Sequence, residues 1–237
     1  MRSIADQEQE ELGGRWSVLV RQKRDHQELD RLLERLVATD PARQPEVLQS
    51  IYRLVFPHAF AEESVLWPAM RRVLPDGEEL TLMVEQEHQQ INELVTELEA
   101  MAPDDPRRQP LIGAVVDLLR EDVRDEEDTL LPRLQEALDD RQLRLLGVQW
   151  EALRRTAPTR AHPVVARRPP GNVLAALPLT VIDRTRDAVE RGARRSERFQ
   201  RPLTRASMAL AGAAGVVEQA PFMRSGEHRS TRVPRGE

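Results

Sequence analysis

His58 and Glu62 stand four residues apart, and 64 residues later Asp122 and Glu126 repeat that spacing. Four residues of helix rotate by about 40° net and climb about 6 Å, so each pair projects from one face. His26 and His88, 62 residues apart, lie on the segments that precede the two pairs. Three imidazoles and three carboxylates brought together at the centre of a helical bundle are costly to bury unless paired or ligated. As a ligand set they suit iron or manganese, and they are too many for a single tetrahedral zinc. Glu62 and Glu126 could each bridge two ions, with His26, His58, His88 and Asp122 supplying ligands from either side.

The spacing comes from an internal repeat. PHAFAEESVLWPAM (57–70) and EDVRDEEDTLLPRL (121–134) align Glu62 with Glu126, Glu63 with Glu127, Leu66 with Leu130 and Pro68 with Pro132. DHQELDRLLERL (25–36) matches EHQQINELVTEL (87–98) in the same way, pairing His26 with His88. One exchange interrupts the pattern: His58 meets Asp122.

Helices must position these residues. Apolar residues recur at i, i+3, i+4 and i+7 in four long segments, as at Leu29, Leu32, Leu33 and Leu36. The periodicity predicts helices over roughly 9–39, 45–73, 78–101 and 111–138, with a shorter fifth over 140–155. Pro57 predicts a kink or local break just before His58, and APDDPRRQP (102–110) reads as a loop. Helix, short loop, helix, four times over, is the pattern of an all-α, up-down-up-down four-helix bundle. Residues 1–156 are expected to form it.

Composition agrees and excludes much else. Hydrophobic residues make up 40% and aromatics 3% of the chain, a mix that favours helices over sheets. The absence of cysteine removes disulfides, thiolate zinc sites, iron–sulfur clusters and a thiol nucleophile. No nucleophile triad, phosphate loop or dinucleotide fingerprint occurs, which leaves hydrolase, kinase and dehydrogenase readings without support. No apolar leader and no run long enough to span a bilayer is present, so the expected location is the cytoplasm. The net charge of −5 is unevenly divided: residues 158–237 hold 15 Arg against 7 acidic residues. Residues 157–172, rich in Pro and Arg, read as a linker, 174–199 and 203–219 as possible helices, and 222–237 as disordered. This basic tail offers phosphate contacts to nucleic acid or an anionic surface, but no recognition motif accompanies it. It could equally fold back on the acidic bundle.

The order H…HxxxE…H…(H)xxxE, with EExxLxP following each pair, resembles the hemerythrin-like, HHE cation-binding family over roughly residues 15–138. The resemblance implies a four-helix bundle around a non-haem centre of two iron ions that binds O2, nitric oxide or peroxide. It implies terminal ligands at His26, His58 and His88 and bridging ligands at Glu62 and Glu126, and it sets Asp122 where the family has its remaining histidine. A carboxylate there adds negative charge and stabilises Fe(III) over Fe(II). Two other classes stay open: a regulatory module with a sensing or degenerate site and a partner-binding tail, and a structural bundle whose site has decayed.

Other residues receive plainer readings. Glu63 and Glu127 lie about 100° round from the ligand positions and read as surface or salt-bridging acids ahead of acids that support the ligands from behind. Glu85 and Glu87 read as solvated face, and Asp125 as repelling its acidic neighbours. Trp16 and Trp67 read as packing, Tyr52 falls on a different face from His58, and His162 and His228 are assigned no role.

Overall fold

The computed structural model describes residues 1–102 and 104–232, apart from the Glu197 side chain. These residues are all-helical, with no strand among them. The core helices are α1 (Val18–Ala38), α2 (Gln44–Ala61), α3 (Trp67–Val73), α4 (Gly77–Ala100), α5 (Arg108–Asp125) and α6 (Leu131–Ala137). Then follow α7 (Asp140–Arg155), α8 (Gly171–Arg195) and α9 (Glu197–Glu218). One π-helical turn, Glu62–Leu66, joins α2 to α3, and a second, Glu126–Leu130, joins α5 to α6.

Local chemistry explains the boundaries. α1 begins at Val18 rather than near residue 9, because Gly13 and Gly14 turn the chain at φ 87° and 85°, open to glycine and strained for other residues. Ser17 then caps the helix, accepting from the Leu19 amide at 3.2 Å. At α7, Asp139 and Gln142 form a reciprocal capping box. α2 does not break at Pro57; the helix runs on to Ala61, and the departure from α geometry comes in the π turn that follows. The expected 102–110 loop is shortened by α5, which starts at Arg108, and its Pro103 lies outside the described residues.

α1 packs on α2, α4 on α5, and α7 lies across α1 and α2. A Cβ on Gly147 would collide with the Trp16 carbonyl, so close does α7 approach the start of α1. Two apolar clusters fill the interior. One gathers Val18, Leu19, Leu66, Trp67, Met70, Val84, Leu130 and Trp150, the other Leu29, Leu33, Ile51, Phe56, Ile91, Val95 and Leu119. On α1, α2 and α4 the chain crosses from one cluster to the other at His26, His58 and His88; α5 stays with the second cluster through Val123 and the chain reaches the first at Leu130, with Asp122 and Glu126 near the crossing. The apolar periodicity therefore sets the polar residues in a layer between two dry ones.

The region beyond Thr156 departs from its sequence reading. Thr159, Arg160, His162 and Arg167 are buried, so 157–172 is not a free linker but a segment packed on the bundle. α8 and α9 form a helical hairpin held to it by acid–base pairs, Asp187 with Arg53 at 2.7 Å and Arg186 with Glu99 at 3.7 Å, and Arg160 of the segment before them joins Glu99 to Asp187, each at 2.7 Å. Opposite charge on the two parts explains the packing. The expected disorder over 222–237 does not hold through residue 232: Pro221–Arg224 is a 3-10 turn and Thr231 is buried. Residues 233–237 lie outside the described residues. No helix of the described residues is long and apolar enough to cross a membrane.

Candidate metal centre

The six residues singled out by spacing meet in the polar layer, all buried. The ligand atoms of His26, His58, Glu62 and Glu126 all lie within 4.8 Å of one another, and so do those of His88, Asp122 and Glu126. Each glutamate presents its two oxygens to different halves. Glu126 sets Oε2 3.1 Å from His26 Nε2 and Oε1 3.8 Å from His88 Nε2. Glu62 sets Oε1 2.9 Å from His58 Nε2 and Oε2 3.8 Å from His88 Nε2. Asp122 Oδ1 stands 3.5 Å from His88 Nε2. The Nε2 atoms of His26 and His58 face each other at 3.2 Å.

These atoms converge without bonding well to one another. Both oxygens of Glu62, Oδ1 of Asp122 and Oε1 of Glu126 find no hydrogen-bond donor among the described residues. Glu62 Oε1 is close to His58 Nε2 but out of line for a hydrogen bond. A buried acceptor left without a donor costs about 1–3 kcal/mol, against a total stability of about 5–15 kcal/mol for a domain. Four such oxygens in one layer are therefore a heavy burden unless a cation meets them. Donor type fits as well: imidazole and carboxylate together suit iron or manganese.

Charge at the site follows the geometry. Burial opposes the His26 cation, yet hydrogen bonds to Glu126 and Glu127 raise its pKa to about 9. Burial likewise opposes the His58 cation, and the Glu62 and Asp25 carboxylates raise it to about 10. His88 is raised well above the usual imidazole range against the same burial, chiefly by Asp122. Burial pushes Asp122 well up, and the Glu126 and Glu62 carboxylates add to it although His88 opposes. Burial would raise Glu126 too, but His26, 3.1 Å from its Oε2, and the nearby His88 and His58 rings hold it far below the ordinary carboxylate range. Without a metal, then, protons on the histidines balance the acids.

Sequence reasoning missed Asp25 behind His58 and placed the supporting role of Glu63 and Glu127 second. Glu127 Oε1 accepts from His26 Nδ1 at 2.9 Å, and Glu63 Oε1 accepts from His88 Nδ1 at 3.0 Å. Neither is a surface acid; the rotation that takes them off the centre aims each at the histidine of the neighbouring helix. Asp25 Oδ2 lies 3.6 Å from His58 Nδ1, at ion-pair distance. A carboxylate behind the ring fixes its tautomer and leaves Nε2 free toward the centre. The doubled Glu in both copies of EExxLxP was the available signal. Glu85 and Glu87 are also not solvated: Glu85 is fully buried between Arg71 and Arg168. Burial and then the Asp125 carboxylate push Glu87 up to about 7. Trp67 is buried beside His88 at 6.4 Å and Trp150 meets His58 edge-on at 5.3 Å, while Trp16 is half exposed under Arg15 and Arg21. Tyr52 packs in the core.

A cavity of about 20 Å³ lined by Leu29, Phe56, Ile91 and Leu119 opens onto His26, His58, His88 and Asp122. One water needs about 10–15 Å³ on this scale, so the space is of the size of a water or a diatomic molecule.

Residues 18–134 match the family model described as the hemerythrin HHE cation-binding domain. The chain carries a hemerythrin-like domain. An uncharacterized hemerythrin-like protein of Schizosaccharomyces pombe is 25% identical over 135 residues, which are 56% of this chain and 66% of that protein. A protein of Nostoc sp. named DNA nickase is 28% identical over 129 residues, which are 54% of this chain and 36% of that protein. The chain thus spans less than two thirds of either relative. No solved structure matches it. The hemerythrin-like match ends before α7, so α7, α8 and α9 lie outside it.

Proposed function

We propose that the hemerythrin-like domain, its four core helices running up-down-up-down, holds two iron ions and binds or responds to O2, nitric oxide or peroxide. His26 and His58 would serve one ion, His88 and Asp122 the other, with Glu62 and Glu126 bridging. The observation that carries this reading is that Glu62 and Glu126 each offer one oxygen to either half of the layer while four of the layer's oxygens lack a donor. Bound iron would supply Lewis acidity and one-electron exchange. The chain's own residues do the rest. Glu127, Glu63 and Asp25 orient the imidazoles, the two apolar clusters exclude water, and the small cavity is of the size of a ligand of a few atoms. Asp122 in place of an imidazole adds negative charge and favours Fe(III), which shifts the centre from reversible O2 carriage toward redox or peroxide chemistry.

The test is metal analysis with optical spectra of the native chain beside His58→Ala and Asp122→His. About two irons per chain and an oxo-bridge absorption are expected; a folded chain that takes up no metal, or unchanged metal content in His58→Ala, would sink the assignment. The name DNA nickase belongs to a protein of which this chain spans 36%, and no observation favours carrying that activity over. Several arginines beyond residue 157 are engaged with acids of the bundle.

A further inference from the structure

The segment 158–172 runs along the helix that carries His88 and the π turn that carries Glu62. Residue by residue it grips one face of α4: Arg168 reaches Glu85 at 2.7 Å and Glu78 at 2.7 Å, Pro163 accepts from Gln89 at 3.1 Å, and the His162 amide donates to Asn92 Oδ1 at 3.0 Å. Asn92 in turn donates to the His88 carbonyl at 2.8 Å. Asn172 donates to Ser64 Oγ at 3.1 Å, beside Glu63. At the middle of this strap, Arg167 sets Nη1 3.6 Å from Glu63 Oε1, the same oxygen that accepts from His88 Nδ1. Both side chains are buried, 8% and 2% exposed, so water screens the pair little.

Arg167 is itself held fast. Its Nη2 donates to the carbonyls of His162 at 2.9 Å and Val165 at 3.1 Å, and its amide donates to Glu227. A buried cation locked in place beside one oxygen of a carboxylate fixes where that carboxylate stands, and the carboxylate fixes the ring. The other face of the bundle repeats the device: Arg154 of α7 lies 3.6 Å from Asp25 Oδ2, which lies 3.6 Å from His58 Nδ1. Both arginines come from beyond residue 134, outside the segment matched by the family.

We infer that the C-terminal strap is a working part of the metal centre, with Arg167 a positioning residue that acts on His88 through Glu63. The inference rests on His88 being a metal ligand, as proposed above, but its geometric core does not.

The experiment compares full-length wild type, Arg167→Gln, Arg167→Lys and Arg168→Gln; the last removes a strap contact that does not touch Glu63. In metal-free, nitrogen-labelled protein, the Nδ1 proton of His88 is expected to be visible and slow to exchange in wild type and Arg168→Gln. It is expected to be lost in Arg167→Gln and partly recovered in Arg167→Lys. In the iron-loaded proteins, Arg167→Gln should weaken iron binding at one position by about tenfold, the low end for loss of an outer partner of a ligand, and shift the reduction potential of the centre. Arg168→Gln should do neither. Equal changes in Arg167→Gln and Arg168→Gln would overturn the inference and make the strap a general cover, as would an unaltered His88 proton in Arg167→Gln. If the wild-type chain takes up no iron, the metal reading fails, and the His88 proton still decides this one.

Discussion

The two halves of the polar layer descend from one repeat and end differently. The half around His26 and His58 is rich in nitrogen, and Glu127 behind His26 keeps 13% of its side chain exposed. It borders a groove of about 310 Å³ lined in part by Lys23, Arg120, Arg124 and Glu127. The half around His88 and Asp122 is rich in oxygen, and its outer carboxylate is drier: Glu63 behind His88 is 2% exposed and lies under the strap. Where Asp25 backs a histidine in the first half, its repeat partner Glu87 is half-buried and raised by burial and then by the Asp125 carboxylate. A helical repeat thus sets two clusters of candidate ligands of unequal charge side by side. On the proposed reading, the oxygen-rich position holds the ferric state more tightly.

That contrast can be broken outright by removing what the halves share. Glu126→Ala is expected to abolish iron binding at both positions, seen as metal content near zero in a chain that still folds by circular dichroism; one retained iron would show that Glu126 does not bridge. Restoring the repeat is the next largest change. Asp122→His should raise the reduction potential of the loaded centre in spectroelectrochemical titration. An unchanged potential would remove Asp122 from the site.

Smaller effects compare the residues behind the histidines. Glu63→Gln and Glu127→Gln should each lower iron affinity by roughly 10–100-fold, with the larger loss at Glu63 because its environment is drier. Proton competition should act on the nitrogen-rich half. Without metal, His26 and His58 keep their protons up to about 9 and about 10, so loading expels protons and affinity should climb as pH rises through that range. Isothermal titration in two buffers of different ionisation enthalpy measures the release. The smallest effect concerns the hairpin. Burial opposes the His162 cation, but hydrogen bonds to Asp183 and Glu218 raise its pKa to about 9. Its contribution to stability is complete below the unfolded value of 6.5 and is lost as pH rises through about 9. Amide exchange in α8 and α9 should quicken over that window, and His162→Gln should flatten the dependence.

Much of this was readable from the residues. The positions of His26, His58, His88 and Asp122 at one level follow from the repeat and the apolar period, because helices of equal pitch keep their register over three turns. The roles of Glu63, Glu127 and Asp25 did not, since each acts on a residue of another helix and a single-helix projection shows only what leaves the centre. The strap was harder still. Its composition of Pro and Arg is that of a linker, and it folds only because acids at Glu63, Glu78, Glu85 and Glu99 await it on a surface that local sequence does not describe. The start of α1 differs for a local reason: the acidic, helix-favouring run is cut off from it by the turn at Gly13 and Gly14.

The two π turns have one more consequence. In each, neighbouring glutamates are addressed to different helices, Glu62 and Glu126 to the centre, Glu63 and Glu127 to the ring behind it. The five residues behave like a reading frame. A substitution alters one letter, but a deletion within Glu126–Leu130 turns everything downstream by about 100° and makes the whole doublet unreadable to its partners.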